Sequence, residues 1–305
     1  MTAPATQPID LGLLRSDLRR YADIAGVPFD APAVDRVIAP LTDLFTTDFW
    51  VGIRTTTKPA GSRDVNLRLG YTRVPPIPRL REAGLLAYQG HPIERLADQI
   101  ERRFAVGGWG VDTSVKGVAD KVWLAFPERV PLADLMSLPD LPPAVTAARA
   151  HFDRAGMDRV GLIGLDFTSH TINLYGPVFP PGTLTAAQVE DILAGLGFPL
   201  PPGEELQRNA RAFNLYQTFK WDSPDILRLC FPIMCTAAEF PTHYHPLLKE
   251  FADHAPMLDS AARDFILYTT YGPRGRYYKV QADYTGNHRA LYPHHYGSSA
   301  VPPQC

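Results

Sequence analysis

A β-hairpin pattern that recurs five times is the feature of this sequence that most constrains its fold. The recurrences are spaced by roughly 50 residues, and a helical stretch follows each predicted hairpin. The predicted hairpins open near Asp48, Gly108, Asp158, Arg211 and Arg263. A unit repeated in this way dictates the architecture, because each copy must bury its apolar face against its neighbours.

Apolar and polar side chains alternate within most of these hairpins. In the segment 64–71, Val65 and Leu67 fall on one side of the predicted strand, whereas Asn66 and Arg68 fall on the other. The same split recurs in three later segments, 171–176, 226–233 and 277–284. Alternation with a period of two is typical of a strand whose two faces have different environments.

Ten antiparallel strands with interleaved helices can bury their apolar face in two ways. A helical layer can cover one face of an open sheet, or the sheet can close into a barrel with the helices outside. Closure removes the unpaired edges of a sheet this wide. The sequence therefore predicts an α/β fold of the α+β kind, a ten-stranded antiparallel β-barrel surrounded by helices. Its solvent-shielded lumen would be wide enough to enclose a ligand.

Length and charge favour one domain and exclude some partners. The chain of 305 residues is about what five such repeats need, so a single domain over 1–305 is predicted. Residues 1–9 and about 288–305 are expected to be loose tails. The net charge of −2 argues against a general nucleic-acid binder. No uninterrupted apolar run approaches the length of a membrane span, so no membrane partner is expected.

The cysteines and the N-terminal segment bear on the compartment. Cys230, Cys235 and Cys305 are odd in number and form no CxxC pair, which favours a reducing environment over a disulfide framework. The segment 1–10 has no apolar centre, unlike a signal peptide. We therefore expect a cytoplasmic protein, and a monomer.

The polar strand faces have an unusual composition. A solvated sheet face usually mixes Thr, Lys and Glu, whereas these faces hold no Glu and combine cations with aromatic and amide side chains. The residues concerned are Trp50, Arg54, Asn66, Arg68, Lys121, Trp123, Asn173, Tyr175, Asn214, Tyr216, Arg228, Tyr277 and Lys279. This composition favours an enclosed binding cavity over the alternative, a sheet face that simply meets water.

Four of the cations lie on four different hairpins, so barrel closure would bring them together. They are Arg68, Lys121, Arg228 and Lys279. Several cations in one enclosed volume repel one another unless an anion is bound, and guanidinium and ammonium groups together suit a diphosphate. Asn173 could add its amide and Tyr216 and Tyr277 their hydroxyls. For each residue alone, a surface cation or a core tyrosine is the alternative.

Aromatic rings beside such an anion site suggest a reaction. The Tyr175 ring and its neighbours offer π faces, which stabilise a nearby carbocation. A diphosphate leaving group next to an aromatic lining is the arrangement needed to ionise an allylic diphosphate. The sequence thus points to small-molecule substrates.

The residues also resemble a known family, the ABBA-type soluble aromatic prenyltransferases with the PT-barrel fold, which are defined by five αββα repeats. The local matches are RTTTKP at 54–59, DVNLR at 64–68, KVWLAFP at 121–127, LPDLPPAV at 138–145, INLY at 172–175, YQTFKW at 216–221, RLCF at 228–231 and YYK at 277–279. The RTTTKP and NLR runs are similar to those of the branch that acts on aminocoumarin precursors and on phenazines.

The resemblance implies a diphosphate site and says something about metal use. The implied diphosphate ligands are Arg68, Lys121, Asn173, Tyr175, Tyr216, Arg228 and Lys279, with Arg54 and Lys220 as further candidates. Some members have an Asp where Asn66 stands and use it for Mg²⁺. The Asn–Leu–Arg run here suggests that Arg68 replaces the metal, and the chain has no DDxxD run. We therefore expect no metal and no other cofactor.

The activity implied by the resemblance is electrophilic aromatic substitution. A dimethylallyl group would leave its diphosphate and alkylate a carbon of an electron-rich aromatic acceptor, which then loses a proton. Some relatives have a carboxylate near the position of Gln281, and Gln281 cannot act as a strong base. Asp166, Asp283, a water molecule or the diphosphate product could accept the proton instead.

The acceptor is the least readable part of the sequence. Trp50, Trp123, Phe213 and Tyr268 are candidates for stacking on a flat substrate, although each could equally be barrel packing. The overall pattern is most similar to phenazine prenyltransferases, which favours dihydrophenazine-1-carboxylate as the acceptor. The alternatives are 4-hydroxyphenylpyruvate or another phenol. In a different class, the chain could be a non-catalytic binding barrel for an anionic aromatic metabolite.

Overall fold

Ten antiparallel strands close into a barrel around a central lumen. The computed structural model of the protein describes residues 7–86, 88–258 and 263–291. Consecutive strands pair with one another, and the first strand pairs with the last, with Arg54 opposite Gln281. The predicted ten-stranded barrel is therefore confirmed.

The strands follow the five predicted hairpins. They are β1 Trp50–Thr56, β2 Val65–Thr72, β3 Gly108–Ser114, β4 Ala119–Pro131, β5 Arg159–Asp166, β6 Thr171–Val178, β7 Asn214–Lys220, β8 Arg228–Thr236, β9 Asp264–Gly272 and β10 Gly275–Asp283. Within each strand, side chains alternate between the lumen and the outer face, as the period of two predicts.

Helices surround the barrel. In the described residues they are α1 Leu11–Ala25, α2 Ala31–Ile38, α3 Pro76–Glu82, α4 Pro92–Arg103, α5 Leu132–Met136, α6 Pro143–Ala147, α7 Arg149–Ala155, α8 Ala186–Ala194, α9 Gly203–Asn209, α10 Pro246–His254 and α11 His288–Leu291. Short 3-10 helices lie at Ala39–Leu44, Ala60–Ser62, Ala237–Glu239 and Thr242–Tyr244. Thr185 caps the start of α8, where it forms a capping box with Gln188.

The main hydrophobic core lies between the helices and the outer face of the barrel. Val51 and Ile53 of β1 are fully buried there, together with Leu14 and Leu18 of α1. Burial of each such side chain stabilises the fold by about 1.5–3 kcal/mol. Because the apolar strand faces are used in this layer, the polar strand faces point into the lumen.

A buried carboxylate fastens one helix of this layer to the barrel. Glu205 of α9 is only 3% exposed and accepts hydrogen bonds from the hydroxyls of Tyr271 and Tyr278. It also accepts one from Arg276 Nε at 3.0 Å. Its charge is therefore compensated by groups on the β9–β10 hairpin, the hairpin that closes the barrel.

Parts of both predicted tails are ordered. Pro8 forms an isolated β-bridge with Thr46, and Ile9 is buried. At the other end, His288 of α11 is 4% exposed, so the expected tail from 288 begins as a packed helix. The remaining tail positions, 1–6 and 292–305, lie outside the described residues, as does Cys305. Cys230 and Cys235 are buried free thiols.

Within the described ranges, no helix is long and apolar enough to cross a membrane. The monomeric state and the cytoplasmic location stay predictions.

Replacement of Glu205 by Ala is expected to lower the free energy of unfolding by about 3 kcal/mol, because it leaves the buried hydroxyls of Tyr271 and Tyr278, and the guanidinium of Arg276, without their acceptor. Chemical denaturation of native and variant protein measures the change. The neighbouring Glu204 is exposed and pairs with Arg208 on the surface, so Glu204→Ala is the matched control and should change little. Equal effects of the two substitutions would contradict the anchoring role of Glu205.

Candidate functional site

The lumen has a charged end and an aromatic end. The aromatic end holds a cavity of about 570 Å³, counting its opening. Its walls include three tryptophans, four tyrosines and a phenylalanine, namely Trp50, Trp109, Trp123, Tyr71, Tyr175, Tyr216, Tyr268 and Phe213. Arg68 also lines this cavity and connects it to the charged end.

Six cations, here called the cationic cluster, gather at the charged end: Arg54, Lys58, Arg68, Lys121, Arg228 and Lys279. Five of them were predicted from the strand faces. Lys58 was missed as a site residue because it follows β1 in a loop, where alternation does not apply. The RTTTKP run that contains it was the available signal.

Burial disfavours the charged form of two lysines in this cluster, Lys121 and Lys279. Burial lowers the pKa of Lys121 to about 8, although the carboxylates of Asp166 and Asp112 favour its charged form. Burial likewise lowers the pKa of Lys279 to about 8, and the neighbouring guanidinium groups contribute to this shift. An anion placed beside such a lysine stabilises its charged form.

Charges of opposite sign alternate around the wall of the charged end. Through cross-strand register, Arg68 lies opposite Asp112, Asp112 opposite Lys121, and Lys121 opposite Asp166. Asp112 Oδ2 is 2.9 Å from Arg54 Nη2 and 3.6 Å from Arg68 Nε. Asp166 Oδ2 is 3.8 Å from Lys121 Nζ. The predicted proton acceptor Asp166 therefore belongs to the charged end, and it does not line the aromatic cavity.

Asp112 was missed by sequence reasoning. It is only 1% exposed, and its alternation with Gly110 and Ser114 on β3 was the signal that could have found it. A third carboxyl group, Asp120, accepts a hydrogen bond from Asn66 Nδ2 at 3.1 Å. Burial and the nearby carboxylates raise the pKa of Asp120 to about 7. Six cations thus face three carboxyl groups, which leaves the charged end with an excess of positive charge.

The predicted hydrogen-bond donors divide between the two ends. Asn173 lies at the charged end, where it accepts from Lys121 Nζ at 3.1 Å and donates to Thr218 Oγ1 at 3.1 Å. The Tyr277 ring is there too, 4.8 Å from Lys58 Nζ and 5.8 Å from Lys279 Nζ. Tyr175 and Tyr216, in contrast, line the aromatic cavity.

Arg68 lies at the boundary between the two ends. Its Nη1 donates to Gln281 Oε1 and lies 3.1 Å from the Tyr268 hydroxyl. Its guanidinium carbon lies 4.3 Å from the centre of the Trp123 ring and 5.9 Å from that of Trp50. A ligand that spans the two ends would therefore pass beside Arg68.

Glycines allow the indoles of Trp50 and Trp123 to lie flat against the wall. A Cβ atom at Gly52 or Gly70 would lie 2.6 Å from the Trp50 ring. A Cβ atom at Gly110 would lie 2.7 Å from Trp123 Cε3, and one at Gly164 would lie 3.0 Å from its Cδ1. No side chain fits at these positions beneath the rings, so the glycines are needed for close packing. Two flat surfaces for stacking result.

Tyrosine rings complete the aromatic end. The ring centres of Tyr175 and Tyr216 are 4.4 Å apart, and those of Tyr216 and Tyr268 are 6.0 Å apart. Burial raises the pKa of all three hydroxyls, so the rings stay neutral. All four residues predicted to contact the acceptor, Trp50, Trp123, Phe213 and Tyr268, line this cavity.

Gln281 and Asp283, the other predicted proton acceptors, lie on the same inward face of β10 as Lys279, but they do not line the aromatic cavity. Gln281 is fully buried, and its Oε1 already accepts from Arg68 and from the Tyr268 hydroxyl at 3.1 Å. Asp283 is 3% exposed, and burial raises its pKa to about 7. Its Oδ2 accepts from the backbone nitrogen of His288 at 2.9 Å. His288 itself lines the cavity. It was not predicted as a site residue, because the sequence analysis assigned the chain from about 288 onward to a loose tail.

Among the described residues, no group of three or more His, Cys, Asp or Glu side chains is arranged to hold a metal ion.

The barrel resembles solved structures of prenyltransferases. Residues covering 88% of this chain superpose on 95% of the 5-dimethylallyltryptophan synthase of Streptomyces coelicolor, with a TM-score of 0.58 and 14% identity. At this identity the likeness concerns the fold.

Curated relatives are more similar in sequence. The 5,10-dihydrophenazine-1-carboxylate 9-dimethylallyltransferase of Streptomyces anulatus is 28% identical over 90% of this chain and 94% of its own. Flaviolin linalyltransferase of Streptomyces virginiae is 32% identical over 67% of this chain and 68% of its own. The 4-hydroxyphenylpyruvate 3-dimethylallyltransferase of Streptomyces niveus is 25% identical over 93% and 88%, respectively.

A family model described as "Aromatic prenyltransferase Orf2" matches residues 9–292. The match covers almost the whole chain. It confirms the predicted enzyme class, in place of the alternative of a non-catalytic binding barrel. The protein, with its cationic cluster and aromatic cavity in one barrel lumen, therefore belongs to the aromatic prenyltransferase family.

Proposed function

We propose that this enzyme transfers a dimethylallyl group from dimethylallyl diphosphate to a ring carbon of 5,10-dihydrophenazine-1-carboxylate. The observation that carries the proposal is the junction, at Arg68, between the cationic cluster and a cavity walled by flat aromatic rings. The Streptomyces anulatus relative, which is named for this acceptor and aligns with 90% of the chain, supports the choice.

The cationic cluster is proposed to bind the diphosphate. Its excess of positive charge suits a multiply charged anion, and the lowered pKa of Lys121 and Lys279 means that these ammonium groups lack sufficient compensation in the free enzyme. Asn173 and Tyr277 lie beside the same lysines. As the carbon–oxygen bond breaks, these fixed charges stabilise the negative charge that develops on the departing diphosphate.

The aromatic end is proposed to shield the dimethylallyl cation and to hold the acceptor. The neutral rings of Tyr175, Tyr216 and Tyr268 offer π faces to the cation and keep water away from it. The flat indoles of Trp50 and Trp123 are suited to stack on a planar tricyclic acceptor. A ring carbon held against the cation then attacks it.

The reaction is proposed to need no metal ion. Asn66 occupies the position where some family members have a metal-binding Asp, and its Oδ1 accepts from Arg54 Nη2 at 2.9 Å. The Asn66 oxygen that would have to bind a metal cation is thus already hydrogen-bonded to the Arg54 guanidinium. The neighbouring Arg68 supplies positive charge at the boundary of the two ends, where the scissile bond would lie.

A phenolic acceptor such as 4-hydroxyphenylpyruvate is the second candidate. The relative from Streptomyces niveus that is named for this substrate aligns with 93% of the chain. The relative named as a linalyltransferase makes a donor longer than dimethylallyl diphosphate a further candidate.

The direct test is turnover of dimethylallyl diphosphate with 5,10-dihydrophenazine-1-carboxylate under reducing conditions in the presence of EDTA. A prenylated phenazine is the expected product by mass spectrometry. Lys121→Met should lower kcat/KM by about 10²-fold, because it removes a cation from the leaving-group site. Lys116→Met is the matched control, since Lys116 is 44% exposed and its Nζ lies 3.8 Å from Asp64 Oδ2.

Activity that EDTA abolishes and Mg²⁺ restores would contradict the metal-free reaction. Turnover of 4-hydroxyphenylpyruvate but not of the phenazine would replace the proposed acceptor by the second candidate.

Diphosphate binding is expected to take up protons above pH 8. In the free enzyme, Lys121 and Lys279 have a pKa of about 8 and lose their protons as the pH rises through that value. A bound anion favours the charged ammonium and raises this pKa, so a neutral lysine must gain a proton on binding. Affinity should fall as the pH rises. Calorimetry with inorganic diphosphate at about pH 8.5, in buffers of different ionisation enthalpy, measures the uptake.

Lys279→Arg is the control, because a guanidinium stays protonated throughout this range. Its proton uptake should be smaller than that of the native enzyme. Equal uptake by the two proteins would show that Lys279 is not the group that titrates.

A methyl group added at Gly110 should weaken acceptor binding more than donor binding. The new Cβ atom would lie 2.7 Å from Trp123 Cε3 and 3.1 Å from the Leu69 carbonyl oxygen, so the indole must move. We expect Gly110→Ala to raise the acceptor KM on the order of tenfold and to leave the donor KM nearly unchanged. Gly61→Ala, which meets no atom within 4 Å, is the control. Equal increases in both KM values would contradict a stacking role for Trp123.

A further inference from the structure

We infer that His288 accepts the proton that the aromatic acceptor loses after alkylation. This inference rests on the proposed function, because it concerns the last step of that reaction. It assigns chemistry to α11, a helix at the end of the described chain that contributes one side chain to the cavity.

The step balances as follows. The donor's carbon–oxygen bond breaks and its electron pair leaves with the diphosphate. A π electron pair of the acceptor ring forms the new carbon–carbon bond, which leaves an arenium cation. The carbon–hydrogen bond at the alkylated carbon then breaks, its electron pair restores the aromatic ring, and the proton moves to an imidazole nitrogen. The imidazolium passes this proton to solvent, and no oxidant or reductant is needed.

The location of His288 suits this step. The residue is 4% exposed and lines the aromatic cavity, not the charged end. Its ring meets the Trp50 indole edge to face, with the ring centres 5.3 Å apart. Its backbone nitrogen donates to Asp283 Oδ2 at 2.9 Å, which fastens the start of α11 to the end of β10. The imidazole therefore stands beside an indole proposed to stack on the acceptor.

The other polar side chains that line the cavity are poor proton acceptors. The Arg68 guanidinium stays protonated, and an indole nitrogen only donates. Burial raises the pKa of the Tyr175, Tyr216 and Tyr268 hydroxyls, so these phenols keep their protons. Tyr71, the fourth tyrosine of the wall, also carries a phenol, which is a very weak base. Imidazole is the side chain whose ordinary pKa lies near neutrality, and among the described residues that line this cavity His288 alone carries one.

The acceptors considered from sequence are less well placed. Asp166 pairs with Lys121 at the charged end. The Gln281 oxygen is occupied by Arg68 and Tyr268. Asp283 does not line the cavity, and its carboxylate accepts a hydrogen bond from the backbone nitrogen of His288. Asp283 is thus better described as a positioning residue for His288.

The test combines a substitution with an isotope effect. His288→Asn and His288→Gln remove the base and keep a polar side chain, and each is assayed with dimethylallyl diphosphate and a ring-deuterated acceptor. Removal of a general base is expected to lower kcat by about 10²-fold. Because proton loss would then limit the rate, the primary deuterium isotope effect on kcat should rise above that of the native enzyme. A merely structural loss of activity would leave the isotope effect unchanged.

Two controls make the result decisive. Calorimetric binding of inorganic diphosphate shows which variant keeps an intact lumen, and that variant is used. His254→Gln removes a histidine on α10 that is 60% exposed, and it should leave kcat and the isotope effect at native values. A folded His288 variant with native kcat and a native isotope effect would overturn the assignment while the proposed function stands.

Failure of the native enzyme to prenylate the phenazine, 4-hydroxyphenylpyruvate or flaviolin would instead remove the proposed function, and the assignment of His288 with it.

Discussion

Pairing of the first strand with the last is the constraint on which the rest of this structure depends. It joins β1 to β10 with Gly52 opposite Asp283 and Thr56 opposite Lys279. Because the sheet closes, polar faces that would otherwise meet water enclose a lumen. Arg54 and Lys279, which are far apart in sequence, thereby enter one low-dielectric volume with Arg68. The lowered pKa of Lys279 is a direct consequence of this enclosure.

Enclosure also explains why the charged end holds carboxylates. Cations gathered without compensation would destabilise the free enzyme, since burial disfavours each charge. The cross-strand alternation of Arg68, Asp112, Lys121 and Asp166 offsets part of this cost. The compensation is incomplete, because six cations face three carboxyl groups. The remaining excess of positive charge can bind an anionic substrate. The aromatic end beside it provides flat, neutral surfaces.

Much of this architecture could be predicted from the sequence. Alternation with a period of two identified the hairpins and the inward position of Arg54, Arg68, Lys121 and Lys279. It failed where side chains reach the site by other means. Lys58 follows a strand end, so no alternation marks it. Asp112 belongs to a strand in which Gly108 and Gly110 precede it on the inward face, so the polar character of that face is weak in the sequence. His288 enters the cavity from a short helix whose packing no local pattern signals.

The sequence by itself determined which face of each strand a side chain occupies, because adjacent residues of a strand point to opposite sides. That was sufficient for the barrel, its polar lumen and most of the residues within it. Only the tertiary structure decided the height of each side chain along the barrel axis, because height depends on cross-strand register and on strand stagger. Register places Tyr216 opposite Tyr175, where both line the aromatic cavity, and Thr218 opposite Asn173, at the charged end. It also brings Asp166 beside Lys121, at the charged end of the lumen.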